Sequence, residues 1–400
     1  MGEHGNPFIK DEAFEVKEKL ITVALILLLF LSAVFYLEKI AAVRTPKLFA
    51  TTGESSVQNI SEVKALNNGK WIRSFRAADG AIYLRKHLKT TDGGLTFEPQ
   101  TSVDVEEVNA VPESAVFAKK GLFYALRGRA VLEKPGVYTL NAWRSTDDLK
   151  TVGSEKVTLY VPEGPAKEPE EGVWYGLYVY RTILEMPDGS WLMTLYGNFE
   201  NDNLPIYNRN AKTETRFMMR SFVVKSTDQG RTWNYLSSIA VPKSGDPIGE
   251  GFVEPAIVLL ANGQLLSVVR TGHHFPLYAV WSADGGKTWT SPMYTGLDRG
   301  VDPNLIRLND GRIALGWGRR YREGWSKITP EGDQFYFNYP GEGDSNLAIS
   351  EDNGQSWVNH KIARQTGSTY STIFEVEPNV IFYQVDQWVW RITLKAHPTD

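Results

Sequence analysis

The sequence predicts an all-β fold, a six-bladed β-propeller preceded by one apolar N-terminal helix. Three observations predict this arrangement. Short runs rich in Val, Ile, Leu, Tyr and Trp dominate the chain after residue 60, and Asn-Gly or Asp-Gly pairs interrupt them. An octapeptide recurs between these runs at intervals along the chain. A long apolar run near the N-terminus stands apart from both patterns.

The N-terminal helix is predicted from residues 20–36, LITVALILLLFLSAVFY, a run at the lower edge of the length that spans a bilayer. We expect a transmembrane or signal-anchor segment rather than a removed signal peptide, because the run is long for a signal-peptide core. Basic residues flank it on both sides, so the short polar leader and the large following domain decide its orientation. The propeller is expected outside the cytoplasm (extracellular, periplasmic or lumenal), and secreted if the segment is cleaved.

The predicted organisation has four parts. A polar leader covers 1–19, the membrane segment covers 20–43, a linker with a possible ring-closing strand covers 44–58, and the propeller covers 59–400. A formal net charge of −4 makes nucleic acid an unexpected partner. The chain has no cysteine, which excludes disulfides, thiolate metal sites and a cysteine nucleophile. No metal site and no cofactor are predicted.

Hairpin turns divide the chain into six repeated units. Asn-Gly and Asp-Gly pairs are the strongest short-range signal for a hairpin. The turns are placed at Asn68-Gly69, Lys120-Gly121, Asp188-Gly189, Asn262-Gly263, Asp310-Gly311 and Pro378-Asn379. Repeats of this size with up to four strands predict the blades of a β-propeller. The last unit is short of strands, so an N-terminal segment is expected to complete it and close the ring.

The octapeptide occurs as SADGGKTW at 282, STDQGRTW at 226, SEDNGQSW at 350 and TTDGGLTF at 90, with a degenerate copy, STDDLKTV, at 145. Its aspartate can accept backbone N–H groups within a tight turn, and its glycine supplies a positive φ. Repeated chemistry is the other interpretation, but the motif contains no nucleophile beside a base. We therefore expect a structural turn that joins the two outer strands of each blade.

These octapeptides resemble Asp-boxes, and residues from about 55 to 395 resemble the sialidase (neuraminidase) superfamily, whose fold is a six-bladed propeller. The resemblance implies an exo-acting glycoside hydrolase that removes a terminal acidic sugar from glycoconjugates with retention. Sialic acid is the first expectation for that sugar. Asp-boxes also occur in propellers without enzymatic activity, so function has to be argued from other residues.

Counting from the hairpin turns indicates which residues face the end opposite the Asp-boxes. Eight residues before the turns lie Glu254, Asp302 and Tyr370, and also Tyr180 with Arg181 next to it. These residues begin the inner strands. We expect them to crowd around the axis of the ring.

Counting forward from the same turns predicts a set of arginines at that end. They are Arg76, Arg270 and Arg319, with Arg127 and Arg129 at similar offsets. A guanidinium binds a carboxylate through two parallel hydrogen bonds, so several guanidinium groups aimed at one point would clamp an anionic ligand. The alternative is that they pair with neighbouring acids in a structural network.

Tyr370 and Glu254 are the predicted nucleophile and its base. A tyrosine with an ordinary pKa of about 10 is a poor nucleophile and needs such a base. The stretch EGFVEPAIVLLANGQLLSVVRTG resembles the strands of the family that carry a glutamate and an arginine, which matches Glu254 and Arg270. GSTYSTIFEVEP resembles the strand that opens with the nucleophile, and GWGRR resembles the region of a further arginine, Arg319 or Arg320. Sialidases with a Tyr nucleophile are an exception to hydrolysis by two carboxylates.

The first blade departs from the family pattern. The Arg-Ile-Pro of the family is missing, and the stretch NISEVKALNNG stands in its place. Arg76 is expected to replace that arginine. The resemblance implies an acid/base aspartate before the first Asp-box, a position that Asp79 approaches, although its ADG sequence also fits an ordinary turn.

Two insertions, in the third and fifth blades, are expected to rim the pocket. Aromatic residues of the second insertion could stack on sugar rings or pack within their own loop: Trp325, Phe335, Tyr336 and Tyr339. The alternative function is a non-catalytic propeller that binds an acidic glycan or a protein partner. The missing Arg-Ile-Pro favours that alternative, whereas the predicted nucleophile and base favour an enzyme.

Overall fold

The computed structural model describes most of the chain after residue 46. The described residues are 47–48, 57–65, 74–84, 88–99, 114–167, 176–205, 217–246, 248–272, 275–320, 327–328, 334–335, 343–364, 370–385 and 388–396. These residues form strands, turns and loops without a helix. None of them therefore belongs to a helix that could cross a membrane. The predicted leader and membrane segment lie outside the described residues.

The strands run in chain order from β1 to β27. They are β1 Lys47–Leu48, β2 Val57–Ala65, β3 Ser74–Arg76, β4 Ile82–Leu84, β5 Leu88–Thr90, β6 Glu98–Pro99, β7 Ser114–Lys119, β8 Leu122–Lys134, β9 Val137–Ser145, β10 Gly153–Tyr160, β11 Leu177–Glu185, β12 Trp191–Gly197, β13 Arg220–Ser226, β14 Thr232–Ala240, β15 Val253–Leu259, β16 Leu265–Arg270, β17 Tyr278–Ser282, β18 Met293–Tyr294, β19 Gly300–Arg307, β20 Ile313–Arg320, β21 Lys327–Ile328, β22 Gln334–Phe335, β23 Gly343–Ser350, β24 Val358–Arg364, β25 Ser371–Glu377, β26 Val380–Val385 and β27 Trp388–Leu394.

Consecutive strands pair as antiparallel four-stranded meanders. The first contains β3–β6, the second β7–β10, the third β11–β14, the fourth β15–β18, the fifth β19, β20, β23 and β24, and the sixth β25–β27 with β2. Parallel pairing of β7 with β11 and of β10 with β14 joins the second and third meanders into a closed eight-stranded barrel. The fold is therefore all-β, as the sequence predicts.

The strand that completes the sixth meander lies later in the chain than predicted. β2 (Val57–Ala65) pairs antiparallel with β27, so the N-terminal strand that joins the C-terminal hairpins is not confined to 44–58. The earlier Lys47–Leu48 instead pairs with β24 at the outer edge of the fifth meander. The stretch NISEVKALNNG thus belongs largely to the sixth meander and is not the inner strand of the first.

The Asp-boxes are structural turns between third and fourth strands. In every copy the aspartate accepts a backbone N–H and a hydroxyl from the residue four positions later: Asp92 from Thr96, Asp147 from Thr151, Asp228 from Thr232, Asp284 from Thr288 and Asp352 from Ser356. The degenerate copy keeps this pattern because Leu149 adopts a φ of 64° where the other copies have glycine.

Four of the five Asp-boxes also accept a hydrogen bond from a neighbouring meander. Tyr124 donates its hydroxyl to the carbonyl of Gly230 at 2.6 Å, and Ser237 donates to the carbonyl of Gly286 at 2.5 Å. The Trp281 indole donates to the carbonyl of Asn353, and Arg391 donates to the carbonyl of Gly93. The octapeptides therefore hold adjacent sheets together, and buried tryptophans fill the space between the sheets: Trp191, Trp233, Trp317 and Trp390.

Candidate functional site

Six residues predicted for the site lie at one end of the sheets, which we call the site end. They are Arg181, Glu254, Arg270, Asp302, Arg319 and Tyr370. Glu254 begins β15 and Arg270 ends the paired strand β16, so the two residues meet across one hairpin. The connecting turn at 261–263 lies at the other end, about 20 Å away along the seven residues of β15. We call that other end, which carries the Asp-boxes, the turn end.

Three inner strands contain the same backbone irregularity at the site end. Arg181, Glu254 and Asp302 have φ angles of 44°, 49° and 54°, and each strand shifts its register at that point. Pro255 and Pro303 follow two of these residues, and a proline keeps the preceding residue out of the right-handed helical region. Such bulges re-aim side chains and often lie beside active sites. Strain of this kind is maintained only where the surrounding structure enforces it.

Arg181 and Asp302 form a buried ion pair between the third and fifth meanders. Asp302 is fully buried, and its carboxylate accepts hydrogen bonds from Arg181 Nη2 and from the Tyr180 hydroxyl, the latter at 2.9 Å. Burial opposes the charge of Arg181, but Asp302 and Tyr180 outweigh it and raise the pKa of the guanidinium. This is the structural pairing that the sequence left open as the alternative to a substrate clamp.

Arg270 holds two carboxylates. Its Nη1 donates to Glu254 Oε1 at 2.6 Å, and its Nη2 donates to Glu250 Oε2 at 2.8 Å. The other oxygen of Glu254 accepts the backbone N–H of Asp302 at 2.8 Å. Burial opposes the charge of Arg270, but Glu250, Glu254 and Tyr370 together hold its pKa well above its usual value.

Tyr370 and Arg319 complete the site end. Tyr370 directly precedes β25, is partly buried, and lies close enough to Arg270 to act on its charge. Arg319 lies next to the end of β20, opposite Asp344 on β23. Its Nε is buried and has no hydrogen-bond partner among the residues that the structure describes. A guanidinium in this position is able to receive an anionic ligand.

Arg76 and Asp79 do not lie with these residues. Their predicted roles at the site are therefore corrected, because both residues lie at the turn end. The turn between β3 and β4 lies at 77–80, and the predicted turn Asn68-Gly69 lies outside the described residues. Asp79 accepts the N–H of Ala81, as Asn262 accepts that of Gln264 in the fourth meander.

Arg76 confirms that this first turn lies at the turn end. Its Nη1 donates to the carbonyl of Glu375 at 2.5 Å. The carboxylate of Glu375 in turn accepts the N–H groups of Asn309 and Asn379, which belong to the hairpin turns of the fifth and sixth meanders. The correct count of eight back from Asp79 leads to Trp71, outside the described residues.

Glu250 is the site residue that sequence reasoning missed. It lies four positions before Glu254 in GEGFVEP, on the connection that leads into β15, whereas counting from turns identifies only strand starts. Its side chain is 25% exposed, against 7% for Glu254. The sequence signal that could have identified Glu250 is an acidic residue between two glycines. The described residues contain no group of three or more His, Asp or Glu placed to hold a metal ion.

The site end therefore brings a tyrosine near one guanidinium that two carboxylates share. This set of groups can move protons and stabilise developing charge. The predicted aromatic residues of the fifth-meander insertion cannot be added to it, because Trp325, Tyr336 and Tyr339 lie outside the described residues, and of Phe335 only the backbone is described.

Comparisons with known proteins agree with this architecture. A family model described as a BNR repeat-like domain matches residues 141–381. A protein of unknown function from Dyadobacter fermentans is similar in structure with a TM-score of 0.55 and 17% identity, over 84% of this chain and 99% of that one. The Hadza microbial sialidase Hz136 has a TM-score of 0.53 and 13% identity, over 82% of this chain and 66% of its own.

A third similar structure is an alpha-L-arabinanase from Penicillium chrysogenum, solved with arabinobiose, with a TM-score of 0.53 and 11% identity over 84% of this chain and 98% of that one. At such identities the likeness concerns the fold alone. No curated protein matches the sequence.

Proposed function

The chain belongs to the BNR repeat-like domain family, and we propose that it is an exo-acting glycoside hydrolase of the sialidase type. It removes a terminal acidic sugar, first of all sialic acid, from a glycoconjugate with retention of configuration. The six meanders are the six blades of a propeller, and the site end is its catalytic face. The predicted membrane segment holds the propeller outside the cytoplasm.

One observation carries the proposal: the Arg270–Glu254 ion pair stands at the site end, with Tyr370 close to the same guanidinium. In the proposed reaction the Tyr370 hydroxyl attacks the anomeric carbon while Glu254 takes its proton. A general acid gives its proton to the glycosidic oxygen as that bond breaks, and a tyrosyl-linked sugar forms. Water then gives a proton to the same group and releases the sugar, and Glu254 returns the other proton to Tyr370. A neutral phenol avoids the repulsion that a carboxylate nucleophile would meet beside the carboxylate of an acidic sugar.

Arg319 supports an acidic substrate. Arg181 and Arg270 already hold internal carboxylates, whereas Arg319 forms no ion pair with a carboxylate of the described residues. The Nε of Arg319, like that of Arg270, is buried without a hydrogen-bond partner among those residues. We assign the carboxylate of the substrate to Arg319, with Arg181, Arg270 and Asp302 shaping the pocket. Two parallel hydrogen bonds between guanidinium and carboxylate would orient the sugar.

Turnover of 4-methylumbelliferyl N-acetylneuraminide tests the function. We expect Tyr370→Phe to lower kcat by roughly 10³-fold or more, because it removes the nucleophilic oxygen. Tyr294→Phe is the matched control, since Tyr294 is exposed on the edge strand β18. Equal turnover by wild type and Tyr370→Phe would remove Tyr370 from the mechanism. A wild type that cleaves only another acidic glycoside would change the sugar and keep the reaction.

The alternative is a non-catalytic propeller that binds an acidic glycan or a protein partner. Arg181 and Arg270 each form an ion pair with an internal carboxylate, and such pairs could serve as structural supports alone. This pairing favours the non-catalytic alternative. Saturable binding of sialyllactose without release of sialic acid would support this alternative against the enzyme.

A further inference from the structure

The proposed reaction needs a group that protonates the leaving oxygen, and Asp79 lies at the wrong end of the sheets to do so. We propose that Glu250 is the general acid and base. This inference rests on the proposed function and concerns the same site. It identifies a catalytic residue outside the pattern that the resemblance implies.

The backbone of Glu250 is held in place on both sides. Its N–H donates to the carbonyl of Thr271 at 3.1 Å, and its carbonyl accepts the N–H of Met219 at 3.0 Å. Gly251 has a φ of 94°, and a Cβ at that position would lie 2.1 Å from the Met219 carbonyl oxygen. A glycine is therefore required there. These contacts fix the segment between two meanders, so the Glu250 carboxylate is positioned before any ligand binds.

The two carboxylates on Arg270 differ in exposure and in partners. Glu254 is the more buried, and its second carboxylate oxygen accepts the Asp302 N–H. Glu250 is the more exposed, so it can meet a leaving group that extends toward solvent. Both carboxylates bind the same guanidinium. Two acids in unequal environments are the arrangement from which acid and base roles are assigned.

The proton and bond changes balance in both halves of the reaction. In the first, the Glu250 carboxyl gives its proton to the glycosidic oxygen as the bond from that oxygen to the anomeric carbon breaks, while Tyr370 bonds to the carbon and its proton passes to Glu254. In the second, the Glu250 carboxylate takes a proton from water, the water oxygen attacks the anomeric carbon, and Tyr370 leaves and regains its proton from Glu254. One water is consumed for each bond cleaved.

Two substrates that differ in their leaving group test the assignment. 4-Methylumbelliferone leaves without much protonation, whereas the lactose of 3′-sialyllactose requires it. We expect Glu250→Gln to lower kcat/KM for sialyllactose by about 10²–10⁴-fold and that for the aryl sialoside far less. In Glu250→Gln, the fall of kcat/KM on the basic side of the pH profile should disappear, because the variant lacks the acid. In Glu250→Ala, azide should accelerate turnover of the aryl sialoside and yield the sialosyl azide.

Asp79→Asn is the matched control, and we expect it to retain wild-type activity on both substrates. Equal losses on both substrates in Glu250→Gln, with no response to azide in Glu250→Ala, would make Glu250 a support for Arg270 and overturn the inference while the proposed function stands. A loss confined to sialyllactose in Asp79→Asn would also overturn it. A wild type inactive on both substrates would overturn the proposed function and this inference with it. Melting temperatures of all variants exclude unfolding as the cause of a loss.

Discussion

The buried pair Arg181–Asp302 leads to a quantitative prediction about the stability of the site end. The Arg181 side chain is 5% exposed and that of Asp302 is 0% exposed. Asp302→Asn keeps the size of the side chain and tolerates the left-handed φ of 54°, but it leaves the charge of Arg181 buried without compensation. Removing one partner of a buried ion pair costs about 3–5 kcal/mol. We expect that loss in the free energy of unfolding, and a similar loss for Arg181→Met.

The double variant decides whether the charge pairing causes the effect. Arg181→Met with Asp302→Asn removes both charges of this pair, and Tyr180 retains the Pro303 carbonyl as an acceptor at 3.0 Å. The loss in the double variant should therefore be at least about 2 kcal/mol smaller than the sum of the single losses. Urea unfolding followed by tryptophan fluorescence measures each value.

An exposed ion pair provides the control for this cycle. Lys119 and Glu185 lie 2.9 Å apart with side chains 60% and 35% exposed, so their coupling should be at most about 1 kcal/mol. If the losses for Arg181 and Asp302 simply add, or if their coupling equals that of the exposed pair, the charge-pairing argument is refuted.

The remaining predictions concern the turn end. Gly230 and Gly263 have φ angles of 84° and 83°, but a Cβ on Gly230 would lie 2.6 Å from the Tyr124 ring and one on Gly263 would meet nothing within 4 Å. Gly230→Ala should therefore destabilise the protein by about 1–3 kcal/mol more than Gly263→Ala in urea unfolding, and equal losses would contradict this packing. Hydrogen bonds from Thr151 and Ser145 lower the pKa of Asp147 from 3.8 to about 2. Its contribution to stability is thus present above about pH 4 and lost as the pH falls toward 2. Asp147→Asn should flatten the acid side of the plot of melting temperature against pH, and an unchanged slope would contradict this reasoning.

The repeated octapeptide made much of the architecture predictable. Its hydrogen bonds are local, between an aspartate and a residue four positions later, so the motif can be recognised without knowledge of distant contacts. The turns fix the register of each meander, and a register fixes which residues begin the inner strands. This is why Glu254 and Asp302, counted from their turns, lie at one end in the structure. Their catalytic and binding roles remain predictions.

The hairpin turn of the first meander was predicted at the wrong position, because the strands there are short and the turn signal is ambiguous. The pairs Asn68-Gly69 and Asp79-Gly80 both fit a hairpin, and the sequence contains nothing local that chooses between them. The choice depends on the pairing of β2 with β27, two strands separated by most of the chain. Choosing the wrong turn moved Arg76 and Asp79 from the turn end to the predicted site.

The arginines show the limit of prediction from position alone. Counting identifies where Arg181, Arg270 and Arg319 lie, but it does not identify the acid that each one contacts. A guanidinium that already neutralises a buried carboxylate would have to abandon it in order to clamp a substrate, and the abandoned charge would be costly. Arg181 and Arg270 are in this situation, because they hold Asp302 and Glu254. Of the predicted clamp of Arg76, Arg270 and Arg319, Arg270 thus orders two internal acids, and anion binding by Arg319 stays a prediction.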